Sequence, residues 1–335
     1  MEINYFVGID VSKQTLDIAW LDRNGKQIGY KKIENSLKAI TAFGKEIRSN
    51  GVLFETTIFC MEHTGIYNYY LVKYLSENNA KIWMETGHQI KKSMGAVRGK
   101  DDKVDSVRIA MYAFDKQHKI RLWQAPREII TQIADLLAHR SLLVKNKKSL
   151  EVACKEKDAF RPKGQMKLIN TSTDMLVKSL DREITKVEKQ VMILIKEDQK
   201  LSQVYDNIIS VKGVGFVTAA HIIVATNEFL NINDPKKFGC YCGVVPFKNQ
   251  SGTSVRGKEK VSHMANKTMK MLLHLCATSA IRSKGELQDY YLRKTTEGKN
   301  KMLVLNAIRN KLVLRIFACV KENRKYKENY KRLLA

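Results

Sequence analysis

The stretch YFVGIDVSKQTLDIAWLDRNGKQIGYKKIE, residues 5–34, decides how the N-terminal part of this chain folds. YFVGID is a short apolar run that ends on an acid, TLDIAWLD alternates, and QIGYKKIE follows after the turn RNGK. Period-two alternation marks a half-buried strand, and Asn24-Gly25 is a strong hairpin signal because both positions tolerate positive φ. The stretch reads as three strands. The first of them delivers Asp10 directly into the turn VSKQTLD.

Working outward, a helix over about 36–49, a strand TTIFCME, a helix IYNYYLVKYLSENN and a strand KIWMET give β and α in alternation. That order implies a mixed sheet with helices packed against it. From about 127 to 200 the pattern turns helical and strongly charged. One helix runs IITQIADLLAHRSLLVKNKKSLEVACKE, a break falls at FRPKG (160–164), and a second runs TSTDMLVKSLDREITKVEKQVMILIKEDQK. Leu176, Leu180, Ile184, Val187, Val191 and Leu194 are spaced by three and four, a helical seam. Two long helices with a break between them predict an antiparallel hairpin, packed on itself or used to dimerise.

After residue 205, two apolar helical segments meet at Gly213-Val214-Gly215, similar to a helix-hairpin-helix module, whose glycines let backbone N–H groups approach a phosphate. A plain tight helix turn would use the same residues. KNQSGTSVRGKEK, 248–260, reads as a polar, glycine-bearing loop between helices.

Charge sets the partner class. Across 335 residues, 59 Lys+Arg oppose 34 Asp+Glu, a net +25, and the tail from 293 to 332 carries 13 basic residues against 3 acids. A field of that sign suits a polyanion, and each neutralised phosphate releases counterions, so nucleic acid is the expected partner. No apolar run approaches the roughly 18 residues of a membrane span, and MEINYFVGID lacks the build of a signal peptide. A cytosolic protein with no membrane partner is the expectation. The six cysteines form no CxxC pair and read as reduced, mostly buried thiols rather than zinc ligands.

Four acids carry the candidate chemistry. Asp10 closes an apolar strand, as in RNase H-like folds, where the first strand presents an acid to metal ions that activate a phosphodiester. Glu62 ends a second, parallel strand, and α/β sheets place ligands at that edge. In GKDDKVDSVRIAMYAFD, 99–115, Asp102 and Asp105 stand three apart and share one helix face, whereas Asp101 suits the cap position. Carboxylates crowded together repel unless a cation lies between them, and Mg²⁺ takes a few carboxylates, keeps waters and accepts phosphate oxygens.

The order Asp10, Glu62, Asp102, Asp105 is where a family enters. GIDVSKQTLDIAW, MEHTG and GKDDKVDSVRIA resemble the N-terminal domain of IS110-family transposases, which are RuvC-like DEDD recombinases. IISVKGVGFVTAAHII, FGCYCGVVPFKNQSG and NKTMKMLLHLCATSAI resemble that family's second domain, so the likeness spans nearly the whole chain. It implies that Ser251, in PFKNQSG, attacks DNA to form a covalent phosphoserine while the four acids hold Mg²⁺. It also implies donor and target DNA, a structured guide (bridge) RNA, a homodimer or homotetramer, and a cytoplasmic, nucleoid-associated location. Because acids and serine lie in different domains, folding or dimerisation must bring them together. Three residues depart from the family pattern: His63 after the glutamate, and Ala265 and Lys270 where glycine and arginine are usual.

The expected architecture is an α/β RNase H-like (RuvC-like) catalytic domain over 1–125, a helical coiled-coil connector over 126–204, and a mainly α C-terminal transposase domain over 205–335 that carries Ser251. Gly213, Gly215, Arg256, Lys258 and Lys260 are the candidate nucleic-acid contacts, the last three from proximity to Ser251. Two other classes fit the same residues. A Mg²⁺-dependent RuvC-like junction nuclease would use water as nucleophile and still cut as Ser251→Ala; a non-catalytic nucleic-acid-binding protein would tolerate Asp10→Asn or Asp105→Asn.

Overall fold

The computed structural model describes residues 2–93, 101–251, 255–261 and 264–328; the side chains of residues 163, 248–251, 255–256 and 258–260 lie outside that description. The chain divides into two compact units, Met1–Ala125 and Pro126–Ala335.

In the first unit, β1 (Tyr5–Val11), β2 (Thr15–Asp22) and β3 (Gln27–Glu34) form the antiparallel meander that the period-two pattern predicts. Gly25, at φ +79°, makes the turn, and the Asp22 carboxylate accepts from Asn24 N and Lys26 N, both at 2.9 Å. The chain then crosses over through α1 (Leu37–Ser49) to β4 (Thr57–Glu62), and through α2 (Tyr69–Glu77) to β5 (Lys81–Glu85). β4 lies parallel to β1 and β5 parallel to β4, so the five-stranded mixed sheet has the order β3-β2-β1-β4-β5, compatible with an RNase H-like fold. Short α3 (Gly87–Ser93) and α4 (Asp102–Asp115) follow.

Each face of this sheet owns a core. Val7, Ile9, Leu16 and Ile18 pack with Ile40, Phe43, Leu71 and Leu75 from α1 and α2. Phe6, Leu21, Ile58, Cys60 and Trp83 pack with Ile109, Ala110, Tyr112 and Ala113 of α4. Alternation along β1 thus sends Phe6, Gly8 and Asp10 to the α4 face. At Gly8 the helix backbone comes so near that an added Cβ would lie 2.2 Å from Ala110 N and 2.3 Å from Ser106 O.

The second unit opens with α5 (Glu128–Phe160) and α6 (Lys163–Glu197), an antiparallel hairpin packed on itself. Arg140 pairs with Glu188 and Lys147 with Asp181, both at 2.6 Å, which fixes the register. α6 begins at Lys163, eight residues before the expected start at Thr171, because Pro162 ends α5 and pre-sets φ for the next helix. The observed seam also differs by one position. Leu176 is exposed, whereas Val177 keeps the three–four step with Leu180, Ile184, Val187 and Val191.

Beyond the hairpin come α7 (Gln199–Ile209), α8 (Phe216–Thr226), α9 (Pro235–Tyr241), β6 (Phe247–Ser251), β7 (Val255–Lys260), α10 (Lys267–Arg282), α11 (Glu286–Thr296) and α12 (Lys301–Lys321). Their core includes Ile130, Ile133 and Leu137 of α5 and Val191 and Ile195 of α6, so the base of the long hairpin is built into it. Within the stretch expected as a polar loop over 248–260, residues 248–251 and 255–260 instead belong to a two-stranded antiparallel ladder, because their backbone groups pair with one another. Among the described residues, no helix is long and apolar enough to cross a membrane. All six cysteines are free; Cys60, Cys242, Cys276 and Cys319 are buried, Cys154 and Cys240 partly so.

One ion network ties this unit together. Arg127, just before α5, donates to both oxygens of Glu228 at 2.8 and 2.7 Å and to Asp198 at 2.6 Å. The Glu228 side chain is fully buried, on a left-handed run of Asn227, Glu228 and Phe229 at φ +48°, +55° and +64°. Asp198 meanwhile caps α7 through Leu201 N at 2.8 Å, and its bond to Arg127 holds its carboxyl below the usual range. Arg127→Ala should cost about 2–3 kcal/mol, since it strands a buried carboxylate beside only the more distant Lys200; chemical denaturation of wild type and variant checks this. Gly8→Ala should cost about 2–3 kcal/mol or more in the same measurement, because backbone rather than a movable side chain blocks the added methyl.

Candidate active site

Two strands and one helix bring the four predicted acids to the carboxyl edge of the sheet. Asp10 is the penultimate residue of β1 and Glu62 the last of β4, and the pairing Ile9↔Met61 sets them side by side on the α4 face. α4 runs antiparallel to β1: Phe114 meets Phe6 edge-on at 5.5 Å, Ala110 and Ser106 cover Gly8, and the first turn, with Asp102 and Asp105, reaches the level of Asp10. Asp101 is the cap, accepting from Lys103 N at 3.0 Å, as its position in the sequence suggests. Acids in a first helical turn are favoured by the positive end of the macrodipole, which offsets part of their mutual repulsion.

Asp10 feels the cluster most. Partial burial comes first, followed by the negative charges of Asp102, Asp105, Asp17 and Glu62, and together they push its carboxyl up to about 6. Asp17, which the sequence reading passed over, is the register partner of Asp10 on β2 and is buried. Its charge is held by Tyr30 Oη at 2.5 Å and by Lys32 Nζ at 3.2 Å. The bond to Asp17 in turn pushes the Tyr30 phenol up to about 12. Counting the register back from the β1–β2 turn at residues 12–14 would have exposed Asp17, because opposed residues of a hairpin share a face.

Two further residues set the position of Glu62. Asn68 is buried; its Nδ2 donates to Glu62 O at 3.1 Å, and its Oδ1 accepts from Thr64 N at 2.7 Å and Thr64 Oγ1 at 2.8 Å. A Cβ at Gly87 would lie 2.0 Å from Glu62 Oε1, so the carboxylate occupies space that only glycine leaves open. No short-range pattern announces either residue. His63 is exposed, its backbone N–H donating to Glu85 O at 3.2 Å and its Nδ1 accepting from Gly65 N at 3.4 Å.

The carboxylates are not a closed cage. Asp105 Oδ1 pairs with Arg108 at 2.7 Å, and among the described residues no three His, Cys, Asp or Glu side chains are already gathered as metal ligands. The donor chemistry nevertheless fits a hard divalent cation: every donor is a carboxylate oxygen, and Asp10 carries repulsion that a cation would relieve.

The second unit holds the remaining candidates. Ser251 is the last residue of β6, paired with Val255 across the hairpin; its side chain, Gly252, Ser254 and Ser262 lie outside the described residues, as do the side chains of Arg256, Lys258 and Lys260. Gly213, at φ +93°, packs against α10, where a Cβ would meet Cys276 O at 2.7 Å. Gly215 caps α8, its N–H directed to the Cys276 sulfur and its Cα face open.

Comparison with known proteins gives this arrangement a family. Residues 7–156 match the DEDD-type IS110 transposase family, and residues 205–292 match the family described as Transposase IS116/IS110/IS902. The class is therefore a DNA recombinase or transposase, an enzyme, and the DEDD type points to divalent metal use. The pilin gene-inverting protein of Moraxella bovis is 24% identical over 328 residues, covering 96% of this chain and 97% of that protein, and its counterpart in Moraxella lacunata is 24% identical over 327. A 43.6 kDa protein of insertion element IS110 from Streptomyces coelicolor is 26% identical over 159 residues, 46% of this chain and 38% of that one. The chain belongs to the IS110 family of transposases.

Gly87→Ala should leave the fold intact, because the Glu62 carboxylate sits at the end of a flexible side chain and can swing away. Recombination should nonetheless fall roughly 10²-fold, the effect of misplacing a reacting group by about 1 Å; thermal melting together with a recombination assay separates the two effects. The raised carboxyl of Asp10 has a sign: the folded state holds its proton more tightly than the unfolded state, so stability falls as pH rises from about 4 through 6. Asp10→Asn should therefore raise Tm by roughly 2–4 °C at pH 7.5 in chelator, read by calorimetry.

Proposed function

We propose that this transposase cuts and rejoins DNA with Asp10, Glu62, Asp102 and Asp105 of a RuvC-like domain and the hydroxyl of Ser251. The observation that carries the reading is the convergence of four negative charges on Asp10 at the open edge of the sheet. Such a cluster is unstable alone and suits Mg²⁺, which when bound would neutralise it and polarise a phosphodiester oxygen. Asp10 and Glu62 offer ligands from the rigid sheet, and Asp102 and Asp105 offer theirs from the first turn of α4. For Asp105 to join, it must turn from Arg108, which then faces the same phosphate-bearing edge as a cation.

Ser251 supplies the nucleophile. Its hydroxyl loses a proton, its Oγ bonds to phosphorus, the bond to the leaving deoxyribose oxygen breaks, and that oxygen takes up a proton. Moving or inverting a DNA segment requires every cut strand to be rejoined. A phosphoserine keeps the phosphodiester energy for that step, whereas attack by water would lose it. Two Moraxella relatives named for gene inversion support rejoining over simple hydrolysis.

The same reading includes donor and target DNA, a guide RNA, a dimer or tetramer working in the nucleoid, and a three-part division at about residues 125 and 204. Gly213, Gly215, Arg256, Lys258 and Lys260 are its nucleic-acid contacts. The +25 charge supports both nucleic acids without separating them.

Trapping on labelled donor DNA in Mg²⁺ tests the proposal. Wild type should give a protein–DNA adduct stable to denaturant, Ser251→Ala should give none while still binding DNA, and Asp10→Asn should give none either. Cutting that persists in Ser251→Ala identifies a water-using junction nuclease and overturns the serine mechanism.

A further inference from the structure

One strand beyond Glu62, a second site lies on the same face of the sheet. A cavity of about 340 Å³ is lined by Glu85 of β5, Lys92 of α3, Tyr112 of α4, and Lys116, Lys119 and Arg121 after it. Four cations thus face one carboxylate. Among the described residues none of the four makes an ion pair, although such pairs are common elsewhere in the chain. The single acid is already engaged: Glu85 accepts from Tyr112 Oη at 3.2 Å and from Thr86 N at 2.9 Å. Burial and that carboxylate push the Tyr112 phenol up to about 12, so it stays a neutral donor. Lys92, Lys119 and Arg121 are exposed and Lys116 half-buried, so their charges are reachable, and four of them around one engaged carboxylate give the cavity a positive field suited to an anion.

We propose that this cavity binds a phosphodiester of the nucleic-acid strand that crosses the carboxylate edge about three nucleotides away. Lys92, Lys116, Lys119 and Arg121 hold the phosphate oxygens. The pairing Glu62↔Glu85 places the cavity two strand spacings from Asp10, about 10 Å, near the axial rise of three nucleotides. A strand held at both points has its scissile phosphate fixed in register. The location rests on reading the acidic edge as the place of cutting; the binding does not, and it is measured in chelator, where no strand is cut.

The test compares Lys119→Ala/Arg121→Ala with a charge-matched control, Lys38→Ala/Lys45→Ala, which removes exposed cations from α1 on the opposite face of the sheet. Labelled 20-mers of single-stranded DNA, duplex DNA and RNA are titrated in EDTA over a salt series, with circular dichroism confirming the fold. The cavity variant should bind at least about tenfold more weakly than wild type to one or more of these, with a salt slope shallower by about 1 for each phosphate that is no longer neutralised. The arm that changes names the nucleic acid. A cavity variant that binds all three no worse than the control shows only bulk charge at work and overturns the inference.

Discussion

Helix α4 can lie on strand β1 only because residue 8 has no side chain. The helix backbone occupies the space where a Cβ would stand, and no closer approach of the two elements is possible. From that contact the rest of the acidic edge follows. β1 carries Asp10 two residues after Gly8, and α4, running the other way, begins with Asp102 one turn before Ser106 and Asp105 next to it. Glu62 arrives through the parallel pairing of β4 with β1, which the crossover through α1 makes possible. Four carboxylates from three elements are thereby held at one level, with Asn68 and Gly87 fixing where Glu62 points.

That arrangement opposes stability. Like charges converge on a partly buried Asp10, and the helix dipole offsets only part of the repulsion. Asp17 shows the contrast, because it is buried deeper yet satisfied by Tyr30 and Lys32 and needs no further partner. The difference separates a satisfied acid from one whose charge the fold opposes. One strand over the sign reverses, and among the described residues the four cations of the cavity make no ion pair.

Much of this was legible in the residues. The alternation of YFVGID and TLDIAWLD with the Asn24-Gly25 turn predicts the meander, and the three-residue step from Asp102 to Asp105 with Asp101 as cap predicts the start of α4. What escaped is set by partners distant in sequence. Asp17 belongs to the edge through strand register, and Gly87 matters for a side chain 25 positions earlier. The strands β6 and β7 read as loop because their residues are polar and glycine-bearing; only pairing with each other makes them strands. The hairpin seam shifted from Leu176 to Val177 because apolar character alone does not choose between adjacent positions when the facing helix fixes the phase.

The proposed cation site draws on Asp10, Glu62, Asp102 and Asp105 together because α4 rests on Gly8. Calorimetric titration of the full chain with Mn²⁺, in wild type and in Asp10→Asn, Glu62→Gln and Asp105→Asn, checks this. Each amide substitution, from whichever element, should weaken the same binding event by at least about tenfold, the worth of one charged ligand contact. Mn²⁺ binding left unchanged by Asp105→Asn while Asp10→Asn abolishes it would contradict a shared site built across strand and helix.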